Sequence, residues 1–200
     1  LDHGYWASVE SVKATCDQAL ASAQSYREAV LAVKGERTVE NTLQPYNDLF
    51  LAIDPTYGFS SVTANMNPDA AIREAARDCD KRIEQFMNDA NMDRGLYGAI
   101  SAVKLPTDAD ASTRRFVEHA LRDFRRSGVD KDEATRKKLS KMHARMVELS
   151  QTFGKNLRED TRHIELDSAK DLAGMPDDYI KAHAPGKDGK IRISTDYPDF

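Results

Sequence analysis

Apolar side chains recur at three- and four-residue steps through most of the chain, which predicts a succession of amphipathic helices. The first helix runs from Ser8 to about Lys34, and Gly35 is a natural stop for it. Its apolar stripe consists of Val9, Val12, Cys16, Ala19, Ala23, Tyr26 and Val30. This spacing puts all seven side chains on one face of the helix.

The second predicted helix is less regular, because proline and glycine interrupt its pattern. Thr38 provides the N-cap, and Pro45 predicts either a kink or a late helix start. We expect Asp54-Pro55 and Gly58 to break the helix before a short further piece. The stripe before the break is Leu43, Tyr46, Leu49, Phe50 and Ile53, and the piece after it carries Phe59, Val62 and Met66.

Two further helices are predicted between residues 67 and 106. The first opens at Asn67-Pro68-Asp69, which offers an N-cap, a proline at the first helical position and an early acid. Its stripe is Ile72, Ala75, Ala76, Cys79, Ile83, Phe86 and Met87. A shorter helix covers about residues 94–103, and Pro106 ends it.

The clearest unit is a pair of long helices, over residues 109–127 and 131–159. Between them, Gly128 is a typical C-cap, and Asp130 with Glu133 forms a capping box for the second helix. The second helix spans on the order of 40 Å at 1.5 Å per residue. A turn this short predicts that the two helices form a long antiparallel helical hairpin.

Strand character is confined to the last forty residues. His163–Leu166 and Ile191–Ile193 alternate apolar and polar positions, which is typical of short strands. Because the last strand ends close to Phe200 with no obvious partner, we expect its partner further along a longer chain. The predicted fold is mainly α: a multi-helix bundle with a small β excursion near the C-terminus. Its predicted domains are a helical domain over residues 1–160 and a strand and helix segment over residues 161–200.

The composition excludes a membrane protein and a disulfide-rich scaffold. Hydrophobic residues make up 40% of the chain, charged residues 31%, and the mean hydropathy is -0.64. No stretch approaches the length of apolar sequence that a membrane span needs, and no targeting segment is visible. Cys16 and Cys79 are predicted to be buried, reduced thiols, and the expected location is cytoplasmic.

Basic residues are concentrated between Arg114 and Arg145, where 11 basic and 5 acidic residues occur. Cationic helices can bind nucleic acid, but no aromatic residues suited to base stacking interleave this run, and the formal net charge of the chain is -4. Arg114 with Glu118 and Asp132 with Arg136 have the spacing of salt bridges within a helix. We therefore predict a solvated helix face, without nucleic-acid binding.

Five short motifs carry a family resemblance over about residues 36–200. They are Thr38-Val39-Glu40-Asn41-Thr42-Leu43, the pair Asn67-Pro68-Asp69 and Ile72-Arg73-Glu74-Ala75, Phe153 to Thr161 (F-x-x-N-L-x-E-D-T), Asp171 to Tyr179 (D-L-x-G-M-P-x-D-Y), and Gly189 to Pro198 (G-K-I-R-I-S-T-D-Y-P). In this order they resemble the thimet oligopeptidase and oligopeptidase A-like zinc metallopeptidases. The resemblance implies the N-terminal helical region of such an enzyme, well upstream of its zinc site.

The zinc site of that family, an H-E-x-x-H motif on a helix, is missing from this chain. The histidines are His3, His119, His143, His163 and His183, none of which is followed by Glu or lies four residues from another. The sequence therefore predicts no catalytic, cofactor-binding or metal-binding residue here, and an isolated chain without activity. The resemblance implies that zinc belongs to the full-length protein.

The function implied by the resemblance is that of one wall of a channel that admits short peptides. Together with the missing catalytic domain, the chain would select peptide substrates for hydrolysis, without binding a membrane. Two alternatives stay open. One is a stand-alone helical interaction module without peptidase activity, and the other is a nucleic-acid-binding helical domain.

Overall fold

The computed structural model describes residues 7–159 and 162–195. The described ranges contain seven α-helices and one antiparallel pair of short strands, as the mainly α prediction requires. The elements are α1 (Val9–Ala32), α2 (Gln44–Met66), α3 (Ala70–Asn91), α4 (Arg94–Ser101), α5 (Ala111–Ser127), α6 (Glu133–Glu159), β1 (His163–Leu166), α7 (Asp177–Ala182) and β2 (Ile191–Ser194).

The chain separates into two compact units, residues 1–149 and residues 150–200. The domain boundary predicted between residues 160 and 161 lies outside the described residues. In the first unit, α1, α2 and α3 pack against one another, and α4 and α5 pack beside them. No helix in the described ranges combines the length and apolar composition that crossing a bilayer requires.

The start of α2 shows how the prolines are accommodated. Thr38 and Asn41 form a reciprocal capping box, and a single π-helical turn (Val39–Leu43) leads into α2. Pro45 lies in the first turn of α2, where no helical hydrogen bond needs its nitrogen, so the predicted late start is confirmed.

The break predicted at Pro55 is wrong, because α2 runs through it without interruption. A proline inside a helix leaves the carbonyl four residues earlier without its usual donor. Here that residue is Leu51, and both Leu51 and Pro55 lie on the exposed side of α2. Water can therefore satisfy the carbonyl, while Ile53 and Thr56 on the opposite side keep the helix packed.

Aromatic residues fill the part of the core where α2, α4 and α5 meet. Phe124 is almost fully buried, and its ring stacks on Tyr46 with 5.8 Å between centroids and meets Tyr97 edge-on at 5.8 Å. Burial raises the pKa of the Tyr46 hydroxyl well above its usual value. These contacts place Phe124 at the centre of the attachment of α5 to the core, and Phe116, Val117, Ala120 and Leu121 of α5 pack around it.

The prediction of reduced cysteines is wrong. Cys16 on α1 and Cys79 on α3 are both buried, as expected, but they form a disulfide with 5.8 Å between their Cα atoms. Each residue lies on the apolar stripe of its own helix. Because α1 and α3 pack face to face, these two stripe positions are brought within bonding distance. The disulfide thus closes a loop between positions separated by 63 residues.

The turn between α5 and α6 forms as the sequence predicts, but the two helices do not pack closely along their length. Gly128 caps α5 in the left-handed conformation, with φ of 91°, and Val129 is fully buried. None of residues 133–149 of α6 is buried. The short turn joins the two long helices as the helical-hairpin prediction requires, and the side chain of Leu139 on α6 lies against Gly128.

In the second unit, β1 and β2 pair with each other in antiparallel register. Ile164 is opposite Ile193, and Glu165 is opposite Arg192, whose guanidinium donates to the Glu165 carboxylate at 3.0 Å. The expectation that the last strand needs a partner beyond Phe200 is therefore wrong, because β1 supplies it. A β-turn precedes β2, in which the Gly189 amide donates to the Gly186 carbonyl at 2.9 Å.

Removing the disulfide should lower the stability of the fold. For a closed loop of this length, the double variant Cys16→Ala/Cys79→Ala should lose about 4 kcal/mol of unfolding free energy, since its unfolded chain is less constrained. Urea unfolding followed by circular dichroism measures this loss. A thiol reductant should lower the urea midpoint of the wild-type chain and leave that of the double variant unchanged. An unchanged wild-type midpoint would contradict the assignment of the disulfide.

Two glycine substitutions should change stability in opposite directions. Gly128→Ala should destabilise the fold by about 1–2 kcal/mol, because its φ is positive and a Cβ would collide with the side chain of Leu139. Gly58→Ala, in the interior of α2 with nothing within 4 Å of the added methyl group, should stabilise it by about 0.5–1 kcal/mol. Urea midpoints of the two variants, measured side by side, test both expectations.

Candidate functional site

A groove of about 260 Å³ separates α3 from the first half of α6, entirely within the first unit. We call it the α3–α6 groove. It is lined by Tyr57, Lys81, Glu84, Gln85, Met87, Asn88, Asn91, Ser127, His143, Ala144 and Val147. Two hydrogen bonds connect this part of α6 to α3 and its C-terminal cap: Asn88 donates to the Ser140 hydroxyl at 3.3 Å, and Arg136 donates to the carbonyl of Met92 at 3.4 Å.

A polar cluster lies between α2 and α3 at the edge of this groove. Ser60, fully buried, donates its hydroxyl hydrogen to the Asp80 carboxylate, and Tyr57 donates to Glu84 at 2.9 Å. Asp80 and Glu84 are one helical turn apart on α3, so both carboxylates face α2. The cluster therefore joins the two helices by hydrogen bonds beside the apolar contacts of the core.

Both carboxylates act on the ionisation of their neighbours. Burial, opposed by the hydrogen bond from Ser60 and assisted by the negative charge of Glu84, raises the pKa of Asp80 to about 6. Burial and the hydrogen bond to Glu84 raise the pKa of Tyr57 to about 12. Near neutral pH, Asp80 thus changes its charge within reach of the groove.

The chemistry available in the groove is that of binding. Gln85, Asn88 and Asn91 offer amide donors and acceptors, and Lys81 and Glu84 offer one charge of each sign. The only serine and histidine in the lining, Ser127 and His143, share no hydrogen bond among the described residues, so no activated nucleophile is formed. Amide side chains of this kind suit the peptide backbone, which carries one donor and one acceptor per residue.

The histidines of the described ranges do not form a zinc site. His143 lines the groove without His119, His163 is exposed on β1, and His183 stacks on Tyr179 with its Nδ1 2.9 Å from the Tyr179 carbonyl oxygen. Among residues 7–159 and 162–195, no three His, Cys, Asp or Glu side chains lie where they could share a metal ion. This set of donors does not fit zinc. His3 lies outside the described residues.

The basic run of α5 and α6 is divided between two roles. Arg114 donates to the carbonyls of Thr107 (2.9 Å) and Ala109 (3.1 Å) instead of pairing with Glu118, so the salt bridge predicted there is replaced by a loop anchor. Arg136 likewise bonds a carbonyl, that of Met92, and not Asp132. Lys138 and Lys141, in contrast, make no ion pair among the described residues and project from the exposed side of α6.

Several residues of the family-like motifs have structural roles. Thr38 and Asn41 cap the turn before α2, and Arg73 of the second motif donates to the carbonyls of Asn67 (2.7 Å) and Pro68 (2.9 Å). Leu172 is buried and Gly174 has a φ of 96° in the turn before α7. Thr161 lies outside the described residues. At these positions the motif residues cap helices, anchor a loop or fill the core.

Comparison with curated proteins gives matches to peptidases along most of the chain. The chain is 23% identical to oligopeptidase A of Haemophilus influenzae over 172 residues, which cover 82% of it, and 24% identical to the thimet-like oligopeptidase of Dictyostelium discoideum over 201 residues, which cover 96%. Mitochondrial intermediate peptidase of Mus musculus is 32% identical over 91 residues, or 44% of the chain. The chain is thus similar in sequence, along most of its length, to oligopeptidase A and to a thimet-like oligopeptidase. No family model matches it.

The homology to oligopeptidase A and its relatives covers only part of those proteins. The matched region is 25% of the length of the Haemophilus protein, 30% of the Dictyostelium protein and 13% of the mouse protein. The chain therefore spans less than a third of the curated relatives it matches. The similarity therefore reaches one part of each peptidase, and the activity of the whole peptidase is not assigned to this chain by the similarity alone.

Sequence reasoning did not find the polar cluster or the groove. A usable signal was present for the cluster, since Asp80 and Glu84 directly follow the core positions Cys79 and Ile83 on α3. Acidic residues beside a buried stripe are partly buried themselves, and they then need hydrogen-bond partners from the neighbouring helix. The groove left no such signal, because it depends on the angle at which α6 leaves Gly128.

Replacing Asp80 by Asn should alter how stability depends on pH. The pKa of Asp80 in the folded chain is raised above its usual value, so folding favours the protonated carboxyl. The contribution of Asp80 to the free energy of unfolding is therefore fully present below about pH 4 and is lost as the pH rises through about 6. At pH 7, Asp80→Asn should be more stable than the wild type by on the order of 1 kcal/mol, after allowance for solvent screening. At pH 4 the difference should vanish.

Urea unfolding at pH 4, 5.5, 7 and 8 measures this difference, and Asp78→Asn is the matched control. Asp78 is an exposed aspartate on the same helix, so its variant should show no comparable change with pH. If Asp80→Asn destabilised the fold equally at every pH, the interpretation of Asp80 as a carboxyl with a raised pKa would be wrong.

Proposed function

We propose that this chain is the N-terminal, non-catalytic helical part of a zinc-dependent oligopeptidase and forms one wall of its substrate channel. The observation that supports this proposal is the extent of the homology: it covers 96% of this chain but only 30% of the thimet-like oligopeptidase. A helical region without a metal-ligand set is then one part of a larger peptidase. Zinc, which would activate water for attack on the peptide bond, belongs to residues other than those described here.

The α3–α6 groove is the part of the wall that we assign to substrate. Its side chains match an extended peptide in two ways, since its amides pair with backbone groups and Lys81 and Glu84 attract charged side chains or termini. All of these amide and charged side chains lie on α3, and α6 supplies the facing side of the groove with His143, Ala144 and Val147. The wall would hold short peptides and leave the cleavage itself to the catalytic part.

The disulfide bears on where such a peptidase would work. Disulfides persist in oxidising compartments and are rare in the cytosol, where thiols are kept reduced. Because Cys16 and Cys79 are joined, we propose an oxidising compartment instead of the cytoplasmic location expected from the sequence. Reducing and non-reducing electrophoresis of the protein isolated from its natural source would distinguish the two.

The isolated 200-residue chain should fold without binding zinc and without cleaving peptides. The described histidines and carboxylates do not form a ligand set, and no activated nucleophile is present among them. Metal analysis of the purified chain after dialysis against zinc, together with a fluorogenic peptide assay, tests this expectation, with oligopeptidase A of Haemophilus influenzae as the positive control. Zinc-dependent cleavage by the purified chain would falsify the assignment of a non-catalytic part.

Transplanting the chain into a relative tests the channel-wall role. In a chimera, the chain replaces the homologous segment of the Haemophilus oligopeptidase A, and Gln85→Ala/Asn88→Ala should then raise KM for short peptides about three- to tenfold with little change in kcat. Gln24→Ala, an amide on α1 that bonds Glu28 and lies outside the groove, is the control and should change neither constant. A selective fall in kcat would contradict a role confined to binding.

The stand-alone interaction module stays the alternative. Its specific support is the large apolar surface that α6 leaves uncovered. A chimera that folds but hydrolyses no peptide, with or without the groove substitutions, would favour the module over the channel wall.

A further inference from the structure

Four apolar residues of α6 in the first unit follow a seven-residue repeat. Leu139, Met142, Met146 and Leu149 are separated by three, four and three residues, which is the spacing of the a and d positions of a coiled-coil heptad. Leu139 is half-buried against Gly128, and the other three side chains are exposed. We call these four residues the α6 seam, a narrow apolar surface of the kind that packs against one other helix in a coiled coil.

The orientation of α6 in the first unit is the reverse of that expected for an amphipathic helix. The side chains that approach α3 are mostly polar or small, with Val147 as the one larger apolar residue among those described: Arg136, Ser140, His143, Ala144 and Val147. The seam is exposed instead: 52% of Met142, 62% of Met146 and 50% of Leu149 are open to solvent. An uncovered stripe of this kind is typical of an interface whose other half is a separate element.

The charges beside the seam restrict what can cover it. Lys138 and Arg145 occupy the flanking g positions, and Lys141 lies between them on the exposed face. Lys138 and Lys141 have no acidic partner among the described residues, and Arg145 pairs only with the exposed Glu148 of its own helix, at 2.6 Å. An open depression on this side of the helix is lined by α6 residues alone, four of them cationic. The flank is therefore a row of positive charges.

This row argues against a second copy of the chain as the occupant. Two α6 helices packed through their seams would bring Lys138 and Arg145 near His143 or near each other, with no acidic residue at an e or g position to compensate. In coiled coils the residues at e and g decide which partner is accepted. A partner with acidic residues at those positions would be attracted.

We propose that the α6 seam is a docking site for one partner helix that carries apolar a and d positions flanked by acidic residues. The partner helix would pack along α6 in coiled-coil geometry, with its carboxylates against Lys138 and Arg145. Binding would bury the methionine-rich seam and leave the α3–α6 groove open on the other side of α6. The proposal rests on α6 alone and does not depend on the channel-wall role.

A pair of synthetic helices tests the proposal with the 200-residue chain. Both peptides have about four heptads with Leu at a and d; one has Glu and the other Lys at e and g. Fluorescence anisotropy should show binding of the Glu peptide at least about tenfold tighter than of the Lys peptide, with an affinity that falls as salt is added. Equal affinity for the two peptides, or no binding of the Glu peptide, would overturn the proposal.

Two sets of variants locate the site. Met146→Asp should weaken binding of the Glu peptide at least about tenfold, while Met66→Asp, at a more exposed methionine on α2, should not change it. The charge reversal Lys138→Glu/Arg145→Glu should make the Lys peptide the preferred ligand. Circular dichroism checks that each variant is folded, and a folded charge-reversed variant that still prefers the Glu peptide would contradict the proposal.

The other possible occupants give different results. Sedimentation would show a dimer that Met146→Asp dissociates if a second copy covered the seam. Flotation with vesicles of anionic phospholipid would show binding lost in Met146→Asp if the seam lay on a membrane surface. Either result, without selective binding of the Glu peptide, would overturn the proposed acidic helix in favour of the second copy or the membrane surface.

Discussion

The mutual packing of α1, α2 and α3 is the constraint on which the rest of the first unit depends. The disulfide between Cys16 and Cys79 fixes α1 against α3, and the buried side chains of Leu49 and Ile53 on α2 complete the same cluster. Once these helices are fixed, Tyr46 presents its ring to Phe124, and α5 is held in turn. The α3–α6 groove follows from this arrangement, because its main wall is the outer side of a helix that cannot shift.

The polar and apolar contacts of this core have different consequences. Apolar burial gives the three helices their stability, while the pairs Ser60–Asp80 and Tyr57–Glu84 specify how α2 and α3 align along their length. The alignment has a cost, since Asp80 is held where its charged form is disfavoured. A carboxyl in this situation links the packing of α2 and α3 to the pH of the surroundings.

Most of the helices could be predicted from the sequence, because the spacing of apolar residues and the capping residues are local properties. Thr38, Asp69 and Gly128 mark helix ends in the structure, although Pro68 precedes the third helix where it was expected to be its first residue. The features that depend on contacts between helices could not be found in this way. The disulfide requires the relative register of α1 and α3, and the uninterrupted course of α2 requires knowing that Pro55 faces solvent. The same limit explains the candidate site, where no local pattern gives the angle between α3 and α6.

The burial of the disulfide has a consequence for the order of events during folding. Cys16 is fully buried and Cys79 is 1% exposed, so an oxidising thiol-disulfide enzyme cannot reach either sulfur after α1 and α3 have closed on each other. Cross-linking must accompany the first association of these helices, or wait for them to separate again. If α1 and α3 pack before the chain encounters an oxidant, the two thiols stay reduced and protected. If the chain is oxidised first, the disulfide persists for as long as the chain stays folded. The same sequence can therefore carry, in its covalent structure, a lasting record of where it folded.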